Sequence, residues 1–89
     1  MRQRINSFGY IKYKDLNNYL TDNKVFGLTG KYDGDFIIYT YVIMFRENKK
    51  DPEELYIKVS QTSKLVIDAW TNWGKKFNNV EELKTYTKR

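Results

Sequence analysis

The chain of 89 residues contains no histidine and no cysteine. Without histidine it lacks the commonest general acid–base group and the commonest transition-metal ligand. Without cysteine it has no disulfide, no thiolate nucleophile and no zinc–thiolate site. These absences exclude histidine-dependent catalytic triads and most zinc hydrolases. The sequence therefore predicts a protein that is not an enzyme and that needs no metal or cofactor.

Carboxylate chemistry is the class of catalysis that these absences leave open. Asp35 and the later Glu47-Asn48-Lys49 have a spacing that resembles the D…E-x-K motif of metal-dependent nucleases. In that motif the E-x-K part lies on a strand, whereas here it falls in a polar segment that also contains the only proline. Metal catalysis needs rigidly held ligands. We therefore interpret this segment as a solvated loop.

Long hydrophobic runs are also missing. The longest uncharged run has ten residues, 36–45, far short of the roughly 20 that a membrane helix needs. Residues 1–15 carry four basic residues but no apolar region of a signal peptide. With 40% hydrophobic and 17% aromatic residues the chain has enough material for one folded core. We expect a single domain over residues 1–89, located in the cytoplasm and without a membrane partner.

The ten uncharged residues are predicted to form the central strand of a sheet. Alternate residues of a strand point to opposite faces, and here neither face has the polar residues of a half-exposed strand. Both faces are therefore either covered or display apolar side chains. One face takes Phe36, Ile38, Val42 and Met44, and the other takes Ile37, Tyr39, Tyr41, Ile43 and Phe45.

The residues on either side of this strand predict a helix and two partner strands. Leu16, Tyr19 and Leu20 have helical spacing, which predicts a helix over residues 14–22. A strand follows over residues 24–32, where two glycines indicate a bulge or close packing, and the pair Asp33-Gly34 is a strong hairpin signal. A third strand over residues 54–60 alternates cleanly between apolar and polar side chains.

The C-terminal third is predicted to be helical. Thr62 and Ser63 are candidate N-caps of a second helix, which carries an apolar stripe and which Gly74 ends or bends. Asn79 and Glu82 form a capping-box pattern at the start of a third helix. The order α-β-β-β-α-α predicts an α+β fold, a three-stranded antiparallel meander covered by helices. The stripe consists of Leu65, Val66, Ala69, Trp70, Trp73 and Phe77.

Two sets of residues are candidates for binding. Aromatic side chains are common anchors in protein interfaces, and the doubly apolar central strand also suggests a homodimer in which two sheets cover each other. The predicted protein-binding residues are Tyr39, Tyr41, Tyr56, Trp73 and Tyr86, with Trp70 interpreted as a core residue. Basic residues are concentrated at the two ends of the chain, so binding of DNA or RNA phosphates is the alternative. It would use Arg2, Arg4, Lys12, Lys14, Lys75, Lys76, Lys84, Lys88 and Arg89.

Two resemblances bear on function. Over residues 14–77 the predicted order, with Ser63-Lys64 opening the second helix, is similar to a double-stranded-RNA-binding domain. The whole chain resembles the small accessory proteins of phages and mobile elements of low-GC Gram-positive bacteria, including α-β-β-β-α-α anti-CRISPR proteins. The similarity lies in its length, its element order and the aromatic-rich segment 69–83. Those anti-CRISPR proteins are acidic DNA mimics, whereas this chain carries a net charge of +5, so DNA mimicry is not expected.

These resemblances lead to a functional expectation. The second implies a non-enzymatic binding module that inhibits or regulates a host or defence protein by stoichiometric binding, or that acts on a nucleoprotein complex. The alternative is a basic regulator that binds nucleic acid through its terminal lysines and arginines.

Overall fold

The computed structural model describes residues 8–43 and 52–88. Four consecutive strands form one antiparallel sheet in the order β1-β2-β3-β4, and two helices flank it in sequence. The α+β class is therefore confirmed. The elements are α1 (Tyr13–Asp22), β1 (Phe26–Asp33), β2 (Phe36–Ile43), β3 (Glu53–Ser60), β4 (Val66–Thr71) and α2 (Val80–Thr87).

Strand β2 lies inside the sheet, between β1 and β3, as its composition predicts. The alternation along β3 is also confirmed, because Leu55, Ile57 and Val59 are buried while the residues between them are partly exposed. Directly paired residues of neighbouring strands share a face, and Tyr41 pairs with Leu55 and Tyr39 with Ile57. The odd-numbered residues of β2 and β3 therefore face the core together. Met44 and Phe45 lie outside the described residues.

The prediction of a helix after residue 64 is wrong, because this segment forms the fourth strand. A bulge explains the error: Lys58 pairs with Asp68 and Val59 pairs with Val66, so Ile67 is an extra residue. The bulge places the buried residues Val66 and Ala69 three positions apart, a spacing that resembles the period of a helix. The three-stranded meander is thus a four-stranded one, and the observed order is α-β-β-β-β-α.

Thr62 and Ser63 belong to the turn between β3 and β4 and cap no helix. The Ser63 backbone N–H donates to Ser60 Oγ over 3.3 Å, and Ser63 Oγ accepts from the Leu65 N–H over 3.3 Å. Lys64 completes the turn with a positive φ of 64°. Short polar side chains that bond to nearby backbone groups favour turns as well as helix caps, so the local sequence is compatible with both.

The hairpin between β1 and β2 is confirmed. Asp33 pairs with Phe36, so the loop has two residues, and the first of them, Gly34, has a positive φ of 60°. The two glycines of β1 act as predicted. The register shifts between Gly27 and Thr29, which marks a bulge. A Cβ on Gly30 would lie only 3.0 Å from the Tyr39 ring, so β1 accommodates this ring closely.

Both helices contribute buried side chains to one hydrophobic core. Helix α1 begins within one residue of its predicted start and buries Leu16 and Leu20. Helix α2 buries Leu83, and the Tyr19 hydroxyl of α1 donates to the Lys84 carbonyl of α2 over 3.0 Å. Burial of these leucines with the odd-numbered face of the sheet forms the main stabilising contact of the fold. Among the described residues no helix is long and apolar enough to cross a membrane.

The predicted cap of the last helix is confirmed with one difference. Asn79 Oδ1 accepts from the Glu82 N–H over 2.9 Å, as an N-cap does. Glu82 reaches back to the Asn78 N–H, over 3.0 Å, rather than to that of the N-cap residue. This hydrogen bond from Asn78, together with one from the Asn78 side chain and the charge of Lys75, lowers the pKa of the Glu82 carboxyl.

Replacing Asn79 by alanine is expected to lower the free energy of unfolding by about 1 kcal/mol, because the Glu82 N–H loses its acceptor. Urea denaturation followed by circular dichroism measures this difference. Asn18→Ala is the matched control, because Asn18 is an exposed residue inside α1 and alanine is favoured in helix interiors. Equal destabilisation by the two substitutions would contradict the capping role of Asn79.

Candidate protein-binding face of the sheet

The face of the sheet opposite the core carries the candidate site, and we call it the open face. Cross-strand pairing defines its rows: Thr29, Thr40, Tyr56 and Trp70 form one row, and Lys31, Ile38, Lys58 and Asp68 form the next. Its apolar and aromatic members are Phe26, Phe36, Ile38, Val42, Tyr56 and Trp70, all of which are partly or largely exposed.

Two aromatic rings lie side by side on this face. Tyr56 and Trp70 occupy paired positions of β3 and β4, and their ring centroids are 5.8 Å apart with an interplanar angle of 43°. The Tyr56 hydroxyl donates to Glu54 Oε1 over 2.9 Å. This hydrogen bond to the Glu54 carboxylate raises the pKa of the Tyr56 hydroxyl. The two rings form a broad aromatic centre on the open face, and the hydrogen bond to Glu54 fixes the orientation of the Tyr56 hydroxyl.

Charged side chains of both signs surround this centre. The Lys58 ammonium lies over the Phe36 ring, 4.4 Å from its centroid, a favourable cation–π geometry. A small recess beside Trp70 is lined by Asp68 and Lys76. Among the described residues, the open face is electrically balanced, with three lysines and three carboxylates. They are Lys31, Lys58 and Lys76, and Asp33, Glu54 and Asp68.

The predicted protein-binding residues do not lie on one face of the fold, and they differ in burial. Tyr56 lies on the open face. Tyr41 is wholly buried on the core face and has no exposed surface for a partner. Tyr39 and Tyr86 are half-buried and pack against the core, and Trp73 is half-buried in the turn after β4.

The two half-buried tyrosines are also held by specific contacts. The Tyr39 ring stacks on Tyr13 with a centroid distance of 4.0 Å. The Tyr86 hydroxyl donates over 2.5 Å to Glu53, a carboxylate with no solvent exposure. Such contacts fix a side chain within the fold. Tyr39 and Tyr86 therefore contribute to the attachment of the helices.

Sequence reasoning missed Trp70 as a surface residue because it assigned the segment to a helix. In a strand, Trp70 alternates with the buried residues Ala69 and Thr71 and points away from the core. For Phe36, Ile38 and Val42 the signal was present, since their alternation already placed them on one face. The sequence did not indicate that the described helices would leave this face uncovered.

Two of the predicted nucleic-acid-binding residues, Lys12 and Lys76, lie apart beside the edge strand β4. Lys12 pairs with Leu65 and Lys76 pairs with Trp70, at opposite ends of β4 and about 15 Å apart along the strand. Lys75 and Lys84 lie over aromatic rings, those of Phe77, Tyr86 and Tyr19. Lys14 and Lys88 are exposed on or beside the helices, and Arg2, Arg4 and Arg89 lie outside the described residues.

Of the residues in the nuclease-like spacing, the structure describes only Asp35. Asp35 is an exposed residue of the β1–β2 loop whose carbonyl accepts from the Gln61 N–H over 3.0 Å. Glu47 and Lys49 lie outside the described part of the chain. Within residues 8–43 and 52–88, no group of three or more acidic side chains is arranged to hold a metal ion.

Comparison with known proteins gave no match to a family model, a curated protein or a solved structure.

Proposed function

We propose that this chain is a non-enzymatic binding module that inhibits or regulates a protein partner by occupying it with the open face of its sheet. The observation that supports this proposal is the exposure of paired aromatic rings, Tyr56 and Trp70, on a face that no described helix covers. Exposed apolar patches rimmed by polar residues are typical of interaction sites. Tyrosine and tryptophan are also the residues that most often dominate binding energy.

The charge balance of the open face favours a protein partner over a nucleic acid. Protein surfaces that bind nucleic acids are strongly basic, whereas on the open face the carboxylates of Glu54 and Asp68 lie beside the aromatic pair. In protein interfaces an apolar centre with a mixed polar rim is the common arrangement. The partner surface we propose is accordingly apolar at its centre and carries charges of both signs at its edge.

The identity of the partner as a host or defence protein rests on the sequence resemblance to accessory proteins of phages and mobile elements. The absence of histidine and cysteine from the whole chain supports a role without catalysis. Stoichiometric occupation requires only a complementary surface, and the open face offers one on a rigid sheet.

Nucleic-acid binding through the chain ends remains the alternative prediction. The described residues contain ten lysines and nine carboxylates, so four of the five net positive charges belong to segments 1–7, 44–51 and 89. A test of the alternative therefore needs the full chain. Steeply salt-dependent binding of labelled DNA or RNA that is lost in Lys75→Glu/Lys76→Glu would favour the alternative.

The test of the proposal is affinity capture with the tagged full chain from extracts of low-GC Gram-positive bacteria, followed by calorimetry with the purified partner. Trp70→Ala and Tyr56→Ala are each expected to weaken binding about 30-fold or more, the size of a hot-spot loss. Tyr10→Ala is the matched control, because Tyr10 is an aromatic residue with 53% exposure that lies outside the sheet. The proposal fails if all three variants bind the partner as tightly as the wild type does.

A further inference from the structure

The outer edge of β1 is a second unoccupied feature of the sheet. All eight residues of β1 are exposed, and within the described ranges this strand pairs with β2 alone. Of the large hydrophobic residues that the structure describes, Tyr32 is the most exposed, at 73%. An edge strand presents unpaired N–H and C=O groups, which makes it a template for a further strand.

The opposite edge of the sheet, formed by β4, is covered by backbone of the same chain. Two short segments occupy the outer side of β4: Lys12 pairs with Leu65, and Lys76 pairs with Trp70. The Thr71 N–H also donates to the Lys75 carbonyl over 2.9 Å. The chain thus protects the β4 edge with its own backbone, while the described residues leave the β1 edge available.

We propose that β1 pairs antiparallel with β1 of a second copy of this chain, around a two-fold axis at Tyr32. Homo-oligomers with two-fold symmetry are the commonest assemblies of soluble proteins. Addition of a strand to an exposed sheet edge is a known recognition mode. The second copy is chosen over other strands because its charges complement those of this edge.

The charges of β1 select the register. Between Thr29 and Asp33 the strand is regular, and paired residues must share a face. An axis at Lys31 would place the two Lys31 side chains opposite each other, which is unfavourable. An axis at Gly30 would place Lys31 opposite Thr29, so it would form no oppositely charged pair.

An axis at Tyr32 avoids the contact between like charges and forms oppositely charged pairs instead. It places Lys31 of each copy opposite Asp33 of the other, so that two oppositely charged pairs form on the same face. The two Tyr32 side chains then lie together on the other face. A lysine on an edge strand usually prevents unwanted pairing, and here only a strand with a carboxylate at the matching position removes that obstacle.

The proposed pairing would preserve the open faces. A two-fold axis perpendicular to the sheet reverses the strand direction but keeps both copies the same way up. The result is one continuous eight-stranded sheet with α1 and α2 of both copies on one side and two open faces on the other. The dimer would therefore present two partner-binding faces side by side, yet its formation depends on no partner.

The experiment is sedimentation equilibrium of the full chain at low salt, with matched charge reversals. The wild-type mass is expected to rise from 10.8 kDa towards twice that value between about 10 µM and 1 mM, the range of a small and weak interface. Lys31→Asp and Asp33→Lys are each expected to weaken the dimer about tenfold to thirtyfold, because both charged pairs become repulsive.

An equimolar mixture of the two variants provides the decisive observation. The variant with two acidic residues and the variant with two lysines complement each other at both positions, so a heterodimer is expected. The double variant Lys31→Asp/Asp33→Lys is expected to dimerise as the wild type does. Lys14→Asp, an exposed residue of α1, controls for net charge, and circular dichroism confirms folding of each variant.

Three results would overturn the inference: a monomer throughout the concentration range, a dimer that neither single reversal weakens, or a mixture that stays monomeric. None of these results involves the partner of the open face. A monomer that still loses its partner in Trp70→Ala would overturn the dimer and leave the proposed function standing. Conversely, a charge-dependent dimer without any captured partner would support the dimer alone.

Discussion

Replacing Ile57 by alanine is expected to lower the free energy of unfolding by about 2–5 kcal/mol. Ile57 has no solvent exposure and pairs with Tyr39 and Ala69 on the core face. Its truncation removes buried apolar area and leaves a cavity that a four-stranded sheet closes poorly. A domain of this size has a total stability of only about 4–13 kcal/mol. Chemical denaturation measures the loss directly.

Ile38→Ala is the matched control for this prediction. Ile38 lies in the neighbouring strand on the open face, opposite Lys58, and is partly exposed. Because less of its surface is removed from water, its truncation is expected to cost less than half as much as that of Ile57. If the two variants were equally destabilised, the open face would be covered in solution, and the proposed binding surface would be abandoned.

The second large effect is a loss of stability in alkaline solution. Burial raises the pKa of the Tyr41 hydroxyl far above its ordinary value of 10.0, and burial also raises that of Tyr13. Above about pH 10 the unfolded chain releases these protons while the folded chain retains them. The unfolded state then binds fewer protons, so stability falls as pH rises. Each retained proton contributes a slope of at most about 1.4 kcal/mol per pH unit.

The buried Tyr41 hydroxyl is part of a hydrogen-bonded network with two residues of α1. The Tyr41 hydroxyl donates to Asn17 Oδ1 over 2.7 Å, and the Tyr13 hydroxyl donates to the Tyr41 oxygen over 2.5 Å. Both contacts join α1 to β2. Tyr13 is half-exposed, so solvent screening reduces its share of the alkaline effect.

The variant Tyr41→Phe tests two effects of the Tyr41 hydroxyl, its hydrogen bonds at pH 7 and its part in the alkaline loss of stability. At pH 7 the free energy of unfolding of the variant is expected to be about 1–3 kcal/mol lower, because Asn17 and Tyr13 lose a buried hydrogen-bond partner. Above pH 10 its stability should fall less steeply than that of the wild type. Tyr32→Phe, measured at a concentration too low for the proposed dimer, is the control for the loss of a tyrosine hydroxyl: Tyr32 is 73% exposed, so the free energy of unfolding of this variant at pH 7 should equal that of the wild type. An unchanged slope in Tyr41→Phe would contradict the role assigned to Tyr41.

The sequence predicted those elements in which local pattern and tertiary environment agree. Leu16 and Leu20 gave α1, the Asp33-Gly34 pair gave the hairpin, and Asn79 gave the start of α2. In each case neighbouring residues carry the signal, so no knowledge of distant contacts is needed.

Strand β4 shows why the remainder was not predicted. Val66, Ile67 and Trp70 all favour strands, but the extra residue at the bulge shifts the alternation and produces the spacing of a helix. That shift is set by pairing with Val59 and Lys58 of β3, which no local pattern contains. The open face was hidden for the same reason, because Trp70 was interpreted as a core residue of the predicted helix.

The one-sided packing of the sheet separates two kinds of evolutionary constraint along the same strands. Residues such as Ile57 and Leu55 fill the core, so a change of shape there affects the fold itself. Tyr56, between them, lies on the open face and is partly exposed, so a change there disturbs the core less. If the open face binds a partner as proposed, specificity for a new partner can be acquired, or engineered, at alternate positions of β2, β3 and β4 while the intervening residues stay fixed. In such a domain mutations that change recognition and mutations that change stability fall on different residues.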